Sequence, residues 1–142
     1  MKTLKQLLAE KSGNLAVVAP RDTVLHALTV MASHNVGAVM VMDGEHLVGI
    51  FSERDYARKV VLQGKSSKEL PVREVMSDRV VFVTLEQTIE ECMALMTDKH
   101  IRHLPVIADG QVIGIVSIGD LVKEIICNQR FIIGELERYI TG

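Results

Sequence analysis

The sequence predicts an α/β fold built from two copies of one β-α-β-β-α unit, related by a pseudo-twofold axis and followed by a C-terminal helix. Three observations carry this expectation. The chain aligns with itself, without a gap, at an offset of 65 residues. Each half holds an amphipathic helical stretch and then two short apolar runs around an Asp-Gly pair. The composition is 48% apolar, drawn from Val, Ile, Leu, Met and Ala, with 4% aromatic residues and no Trp, which suits strands packed on helices. A chain of 142 residues forms one compact domain that buries roughly two thirds of its unfolded surface without help from metals or disulfides.

The self-alignment gives eight identities: Val18/Val83, Thr23/Thr88, Met31/Met96, Val41/Val106, Gly49/Gly114, Ile50/Ile115, Ser52/Ser117 and Asp55/Asp120. Apolar pairs such as Val24/Ile89, Leu28/Met93, Val36/Ile101, Val39/Leu104, Leu47/Val112, Val48/Ile113 and Phe51/Val116 share the same phase. A shared hydrophobic phase means one supersecondary unit used twice. The copies span 7–62 and 72–127, joined by a linker at 63–71 that contains the polar run Gln63-Gly64-Lys65-Ser66-Ser67-Lys68, with a tail at 128–142.

Each copy reads alike from its start. An extended piece, Leu15 to Val18 or Val80 to Val83, leads through a polar turn into a helix from Thr23 to His34 or from Thr88 to Lys99, with the threonine at or near the helix start. The apolar runs Ala38 to Met42 and Leu47 to Phe51 flank Asp43-Gly44-Glu45-His46, and Leu104 to Ile107 and Val112 to Val116 flank Asp109-Gly110. Such an arrangement signals a β-hairpin. A second helix follows from Ser52 or Ser117.

Beyond Lys123, the residues Ile125, Ile126, Phe131, Ile132, Ile133, Leu136, Tyr139 and Ile140 stand among charged ones as in an amphipathic helix. That helix either covers its own core, the simpler role, or pairs with a second subunit. A unit of about 60 residues buries little surface alone, so the copies are expected to pack face to face, leaving two equivalent clefts for small ligands.

Charge and cysteine usage exclude several classes. With 16 basic and 18 acidic residues the chain has no net positive field for polyanions or an acidic membrane surface, and few aromatics on which bases could stack. No nucleic-acid or membrane partner is expected. Gln6, Glu10 and Lys11 break up the leucines near the start, which argues against a signal peptide, and no apolar run approaches the about 20 residues of a membrane span. Cys92 and Cys127 lie in apolar helical patterns without CxxC spacing, as expected of buried, reduced thiols in a cytoplasmic protein.

The clearest repeated signature is Gly49-Ile50-Phe51-Ser52-Glu53-Arg54-Asp55 with its partner Gly114-Ile115-Val116-Ser117-Ile118-Gly119-Asp120. Ser and Asp stand three apart where a strand turns into a helix, the spacing of a capping box. Read structurally, the pair stabilises a helix start and nothing more. Read functionally, a helix N-terminus offers unpaired N–H groups and partial positive charge to a phosphate, the serine adds a donor, and the carboxylate one turn on accepts the two hydroxyls of a ribose.

Together with Ile101-Arg102-His103-Leu104-Pro105-Val106 and Val75-Met76-Ser77, these paired segments resemble the CBS-domain pair, or Bateman module, over residues 7 to 127. The resemblance implies a stand-alone regulatory protein that binds adenosyl ligands: AMP foremost, with ATP, ADP or NAD, and in some members S-adenosylmethionine, as further ligands. It assigns the ribose to Asp120 and Asp55 and the phosphate to Ser117 and Ser52. By position, adenine lies against Val81, Val83, Thr84 and Ile118 in the main cleft, and against Ala16, Val18 and Ala38 in the second. Arg102 and His103, with Pro105 on the same strand, resemble residues that meet phosphate; Arg54 and Arg58 reach inward from the first copy. Ordinary solvated arginines and a satisfied near-core histidine are the competing readings. Where the second copy has Arg102-His103-Leu104-Pro105 the first has Gly37-Ala38-Val39-Met40, so the cleft of Ser117 and Asp120 is expected to bind more tightly.

Other chemistry finds no support. His100 and His103 do not share a helical face with a carboxylate or thiol, so no metal site is expected. Gly64-Lys65-Ser66 resembles the end of a P-loop, but Lys59 occupies the required glycine position. No nucleophile and base combine, and no catalytic cofactor or catalytic residue is expected. The reading is a non-catalytic sensor that homodimerises, as the family commonly does, and acts on a separate regulated protein; the alternative is a ligand-independent dimerisation or adaptor domain.

Overall fold

The computed structural model describes residues 1–11 and 15–141. Its elements are α1 (Leu4–Glu10), β1 (Val17–Val18), α2 (Val24–His34), β2 (Ala38–Asp43), β3 (His46–Ser52), α3 (Glu53–Asp55), α4 (Ile89–Lys99), β4 (His103–Ala108), β5 (Gln111–Ser117) and α5 (Ile118–Thr141). α3 widens into a π-helical turn over Tyr56–Val61, and a short 3-10 turn spans Val72–Glu74. No described helix is long and apolar enough to cross a membrane. The mixed α/β class and the doubled repeat agree with the sequence.

The chain divides into two compact units: Met1–Gly13 with Phe82–Ala108 and Ile113–Gly142, and Asn14–Val81 with Asp109–Val112. These differ from the sequence copies. α1, which overlaps the start of the first copy, belongs to the unit of the second copy, and the segment around Val72, where the second copy starts, belongs to the unit of the first. Leu7 and Val72, again 65 apart, are both buried.

In the unit of the first copy, β1 pairs in parallel with β2, and β2 pairs antiparallel with β3. The register slips between Val41, opposite Gly49, and Met42, opposite Leu47, so Val48 is an extra residue that bulges the strand. α2 packs Val24, Ala27 and Met31 against Val18, Val39, Val41 and Phe51 of the sheet. In the unit of the second copy, β4 and β5 form a two-stranded sheet, and the piece expected at Val80 to Val83 shrinks to one parallel bridge, Val83 to Val106. That bridge repeats the Val18 to Val41 pair of β1 and β2 at the 65-residue offset.

The repeat extends to the caps. Thr23 and Thr88 each accept a hydrogen bond from the N–H three residues on, starting α2 and α4 as the sequence suggested. Asn35 and His100 end the same helices in the left-handed region, at φ 53° and 55°. The hairpin turns occupy equivalent places with different chemistry. Gly44 alone has positive φ in Gly44-Glu45, while Asp109 and Gly110 both do, the pattern of a type I′ turn.

Two expectations change. The C-terminal helix is present, but as a continuation of the second copy's last helix: α5 runs without a break from Ile118 to Thr141, no proline interrupts it, and Gly134 is tolerated within it. The tail does not cover the core. Tyr139 and Ile140 are 87% and 80% exposed, and Phe131, Ile132, Ile133 and Leu136 also face solvent. Gly142, the last residue of the expected tail, lies outside the described residues. Cys92, on α4, is buried, but Cys127 is exposed, at the open hollow beside α1.

Candidate functional site

The shared Ser-Asp motif sits at the end of a hairpin in each unit, where the outgoing strand must turn into a helix. Backbone geometry fixes that turn twice over: Glu53 N–H donates to Gly37 O (3.0 Å), and Ile118 N–H donates to Arg102 O (2.8 Å), the same bond at the 65-residue offset. Three residues before each serine is a glycine in a crowded place. A Cβ on Gly49 would overlap Met76 and lie 3.0 Å from Ser77 O; one on Gly114 would lie 2.6 Å from Leu8 Cδ2.

Both motifs form capping boxes. Ser52 Oγ accepts from Asp55 N–H (3.2 Å), while Asp55 Oδ2 accepts from Ser52 N–H (3.0 Å) and from the Ser52 hydroxyl (3.1 Å). Ser117 Oγ accepts from Asp120 N–H (3.2 Å), and Asp120 Oδ2 accepts from Ser117 N–H (2.8 Å). The structural role foreseen for these residues is thus present in full, and it holds each carboxylate at the mouth of a helix.

The two carboxylates take their cations from different places. Asp55 pairs with Lys59, one turn along its own helix, at 3.4 Å. In the second copy the equivalent of Lys59 is Glu124, and Asp120 pairs instead with Lys11, at the end of α1, at 2.8 Å. Lys11 Nζ also donates to Ile115 O (2.8 Å). Burial pushes the Asp120 carboxyl up, but the hydrogen bonds from Lys11 and from the Ser117 backbone, with the Lys11 charge, outweigh it and hold the group below the usual carboxylate range. Asp120 lines a hollow of about 210 Å³ between α1 and α5 with Lys2, Leu7, Glu10, Lys11, Lys123, Glu124 and Cys127.

The remaining residues of the main cleft fall as follows. Val83 and Pro105 are buried and bonded, Val83 N–H to Pro105 O at 3.0 Å. Ile118 follows Ser117 directly at the start of α5, and His103, half-buried, begins β4 beside the exposed Arg102. Thr84 is held by a local turn in which its N–H donates to Gln87 Oε1 (3.0 Å). Val81 belongs to the other compact unit. For the second cleft, Ala16, Val18 and Ala38 are buried around β1 and β2, where Ala16 O accepts from Met40 N–H (3.0 Å), while Arg54 and Arg58 are exposed.

Sequence reasoning missed Lys11. Its only signal was position, since the 65-residue offset places it opposite Met76, next to the Val75-Met76-Ser77 segment already singled out. Among the described residues no group of three or more His, Cys, Asp and Glu is placed to hold a metal ion.

Two hairpins, each running into a capped helix and each preceded by a helix under one sheet face, define a tandem α/β repeat of the β-α-β-β-α type. The chain belongs to the CBS-domain family, whose model matches residues 8–62 and 72–127. It is 46% identical over 126 residues to the CBS domain-containing protein CBSX3, mitochondrial, of Arabidopsis thaliana, covering 85% of this chain and 61% of that protein. The CBS domain-containing protein YhcV of Bacillus subtilis is 35% identical over 115 residues, covering 81% of each. Among solved structures, a signal-transduction protein with CBS domains from Burkholderia ambifaria MC40-6 superposes with a TM-score of 0.85 at 46% identity, over 90% of this chain and 96% of that one.

Proposed function

We propose that the protein is a non-catalytic sensor of adenine nucleotides, AMP foremost and ATP, ADP or NAD after it, bound at Ser117 and Asp120 and more weakly at Ser52 and Asp55. The observation that carries this reading is the duplicated strand-to-helix turn. Each turn offers helix N–H groups and a serine hydroxyl to a phosphate, with a carboxylate held 3 residues on for a ribose. Val83, Thr84, Arg102, His103, Pro105 and Ile118 are the further residues of the main site. Ala16, Val18, Ala38, Arg54 and Arg58 serve the second. Occupancy alters conformation or affinity for a separate regulated protein, since a ligand shifts an equilibrium only through unequal affinity for its two states. Unpaired cysteines support a reducing compartment, the cytoplasm.

Thermal unfolding with AMP, ATP, NAD and S-adenosylmethionine tests this. A ligand at about 100 times its dissociation constant adds about 2.7 kcal/mol to the folded state. A rise in melting temperature that Asp120→Ala abolishes supports the sensor; no rise with any of them leaves the adaptor reading in its place.

The functional unit is a homodimer joined through α5. Val122, Ile126, Gln129, Ile133, Leu136 and Ile140 follow the 3-4 spacing of a coiled-coil seam, and the five apolar ones are exposed. Charges of both signs, Arg130 and Glu137, flank the seam, so a second copy of the helix is a complementary partner. Sedimentation of wild type beside an Ile133→Lys, Ile140→Lys double variant reads this directly: the mass should halve, and a wild type already monomeric would refute it.

A further inference from the structure

α1 is fastened to α5 at both ends by carboxylates one turn apart. At its start, the Lys2 backbone N–H donates to Glu124 Oε1 (2.8 Å), a carboxylate only 7% exposed. At its end, Lys11 Nζ bridges Asp120 Oδ2 and Ile115 O, both at 2.8 Å. The aligned carbonyl in the other unit, Ile50 O, is satisfied by a backbone group, Ser77 N–H, at 2.9 Å. Where one copy uses a fixed strand bridge, the other therefore uses the tip of a flexible side chain.

A ribose held through both hydroxyls needs both oxygens of the Asp120 carboxylate. Oδ2 already has two partners, and the Ser117 N–H is locked in the capping box, so Lys11 is the one that yields. The hollow that contains it is also lined by Glu10 and Glu124, which keeps a displaced ammonium beside negative charge. We propose that Lys11 is a displaceable clasp: a nucleotide ribose and Lys11 compete for Asp120, and filling the site frees the C-terminal end of α1 from α5. This rests on the nucleotide reading above and adds how occupancy is reported. The readout is the N-terminal helix, whose release presents Leu7 and Leu8 to a partner.

Hydrogen exchange of the α1 amides, measured with and without AMP and ATP, tests the clasp alongside calorimetric titration of wild type, Lys11→Met and Lys11→Arg. Nucleotide should speed exchange in α1, and Lys11→Met should bind about two- to five-fold more tightly, the worth of a part-exposed ion pair, with Lys11→Arg close to wild type. Unchanged exchange with equal affinities overturns the clasp and leaves the nucleotide site standing, and weaker binding by Lys11→Met overturns it by making Lys11 a ligand contact. Absence of binding by wild type and variants alike removes the nucleotide reading and the clasp together. Exchange in wild type decides the question even where Lys11→Met folds poorly.

Discussion

Replacing Gly49 by alanine should destabilise the fold more than the same change at Gly114, although the two glycines are equivalent in the repeat. The new Cβ at position 49 overlaps the Met76 thioether, with Met76 Cγ at 2.9 Å and Ser77 O at 3.0 Å. Carbon atoms normally settle about 3.5–4.0 Å apart, so relief requires roughly 0.5–1 Å of movement. Met76 can swing its end away, but Ser77 O is backbone and is pinned by the Ile50 N–H at 3.0 Å. At position 114 all three near atoms belong to the side chain of Leu8, a half-buried residue, and none to the backbone. Overpacking costs about 1–3 kcal/mol, which places Gly49→Ala near the upper part of that range and Gly114→Ala near the lower. Urea unfolding measures both, with a midpoint loss of about 1 M for Gly49→Ala if the slope is near 2 kcal/mol/M. Adding Met76→Ala should recover part of the loss but not the share owed to Ser77 O. If Gly114→Ala proves the costlier, or Gly49→Ala is neutral, the close approach of the Ser77 strand to β3 is not what requires glycine there.

Further outcomes follow from the same geometry. Asp120→Asn should cost about 1–2 kcal/mol at neutral pH through the weakened cap and the lost Lys11 pair. Because the folded-state pKa of Asp120 lies below its unfolded value, this contribution is complete above about pH 4 and fades as pH falls through the folded value, so urea midpoints of variant and wild type should converge in acid. A gap that persists unchanged at low pH would contradict the assignment. A thiol reagent should modify exposed Cys127 in the native protein and reach Cys92 only in denaturant, since Cys92 is buried and its pKa is raised, by burial first and then by the Glu91 charge. Two fast thiols would contradict this. Asn35→Ala forces a Cβ residue less tolerant of φ 53° into the helix end and should lower stability by about 1 kcal/mol, read by thermal unfolding; no loss would mean the cap relaxes.

Much of this architecture was legible because the repeat repeats physics as well as letters. The pairs Val18/Val83, Val24/Ile89, Val39/Leu104 and Phe51/Val116, matched by apolar phase, are all buried. The Ser-Asp spacing announced both capping boxes, since that spacing is set by helix geometry alone. What escaped notice was non-local. Nothing in the run from Lys5 to Lys11 says that its last side chain will meet Asp120, a partner 109 residues away. The division into units was hidden for the same reason, because it depends on contacts between residues far apart in the chain. Cys127 and the tail were misplaced by periodicity, which reveals an apolar face but not whether anything lies against it.

The assignment of α1 to the unit of the second copy sets an order of events on the ribosome. Lys2 and Lys11 leave the exit tunnel well before their partners, Glu124 for the one and Ile115 and Asp120 for the other, which are made more than 100 residues later. At about 5–20 residues per second, that is a wait of roughly 5–20 seconds. During it, strands β1 to β3 and helix α2 can assemble around their core while α1 waits with Leu4 and Leu7 uncovered. Of the described elements, α1 is thus made first and docked last, so that its burial against α5 is a late step of folding, set by the synthesis of β5 and α5.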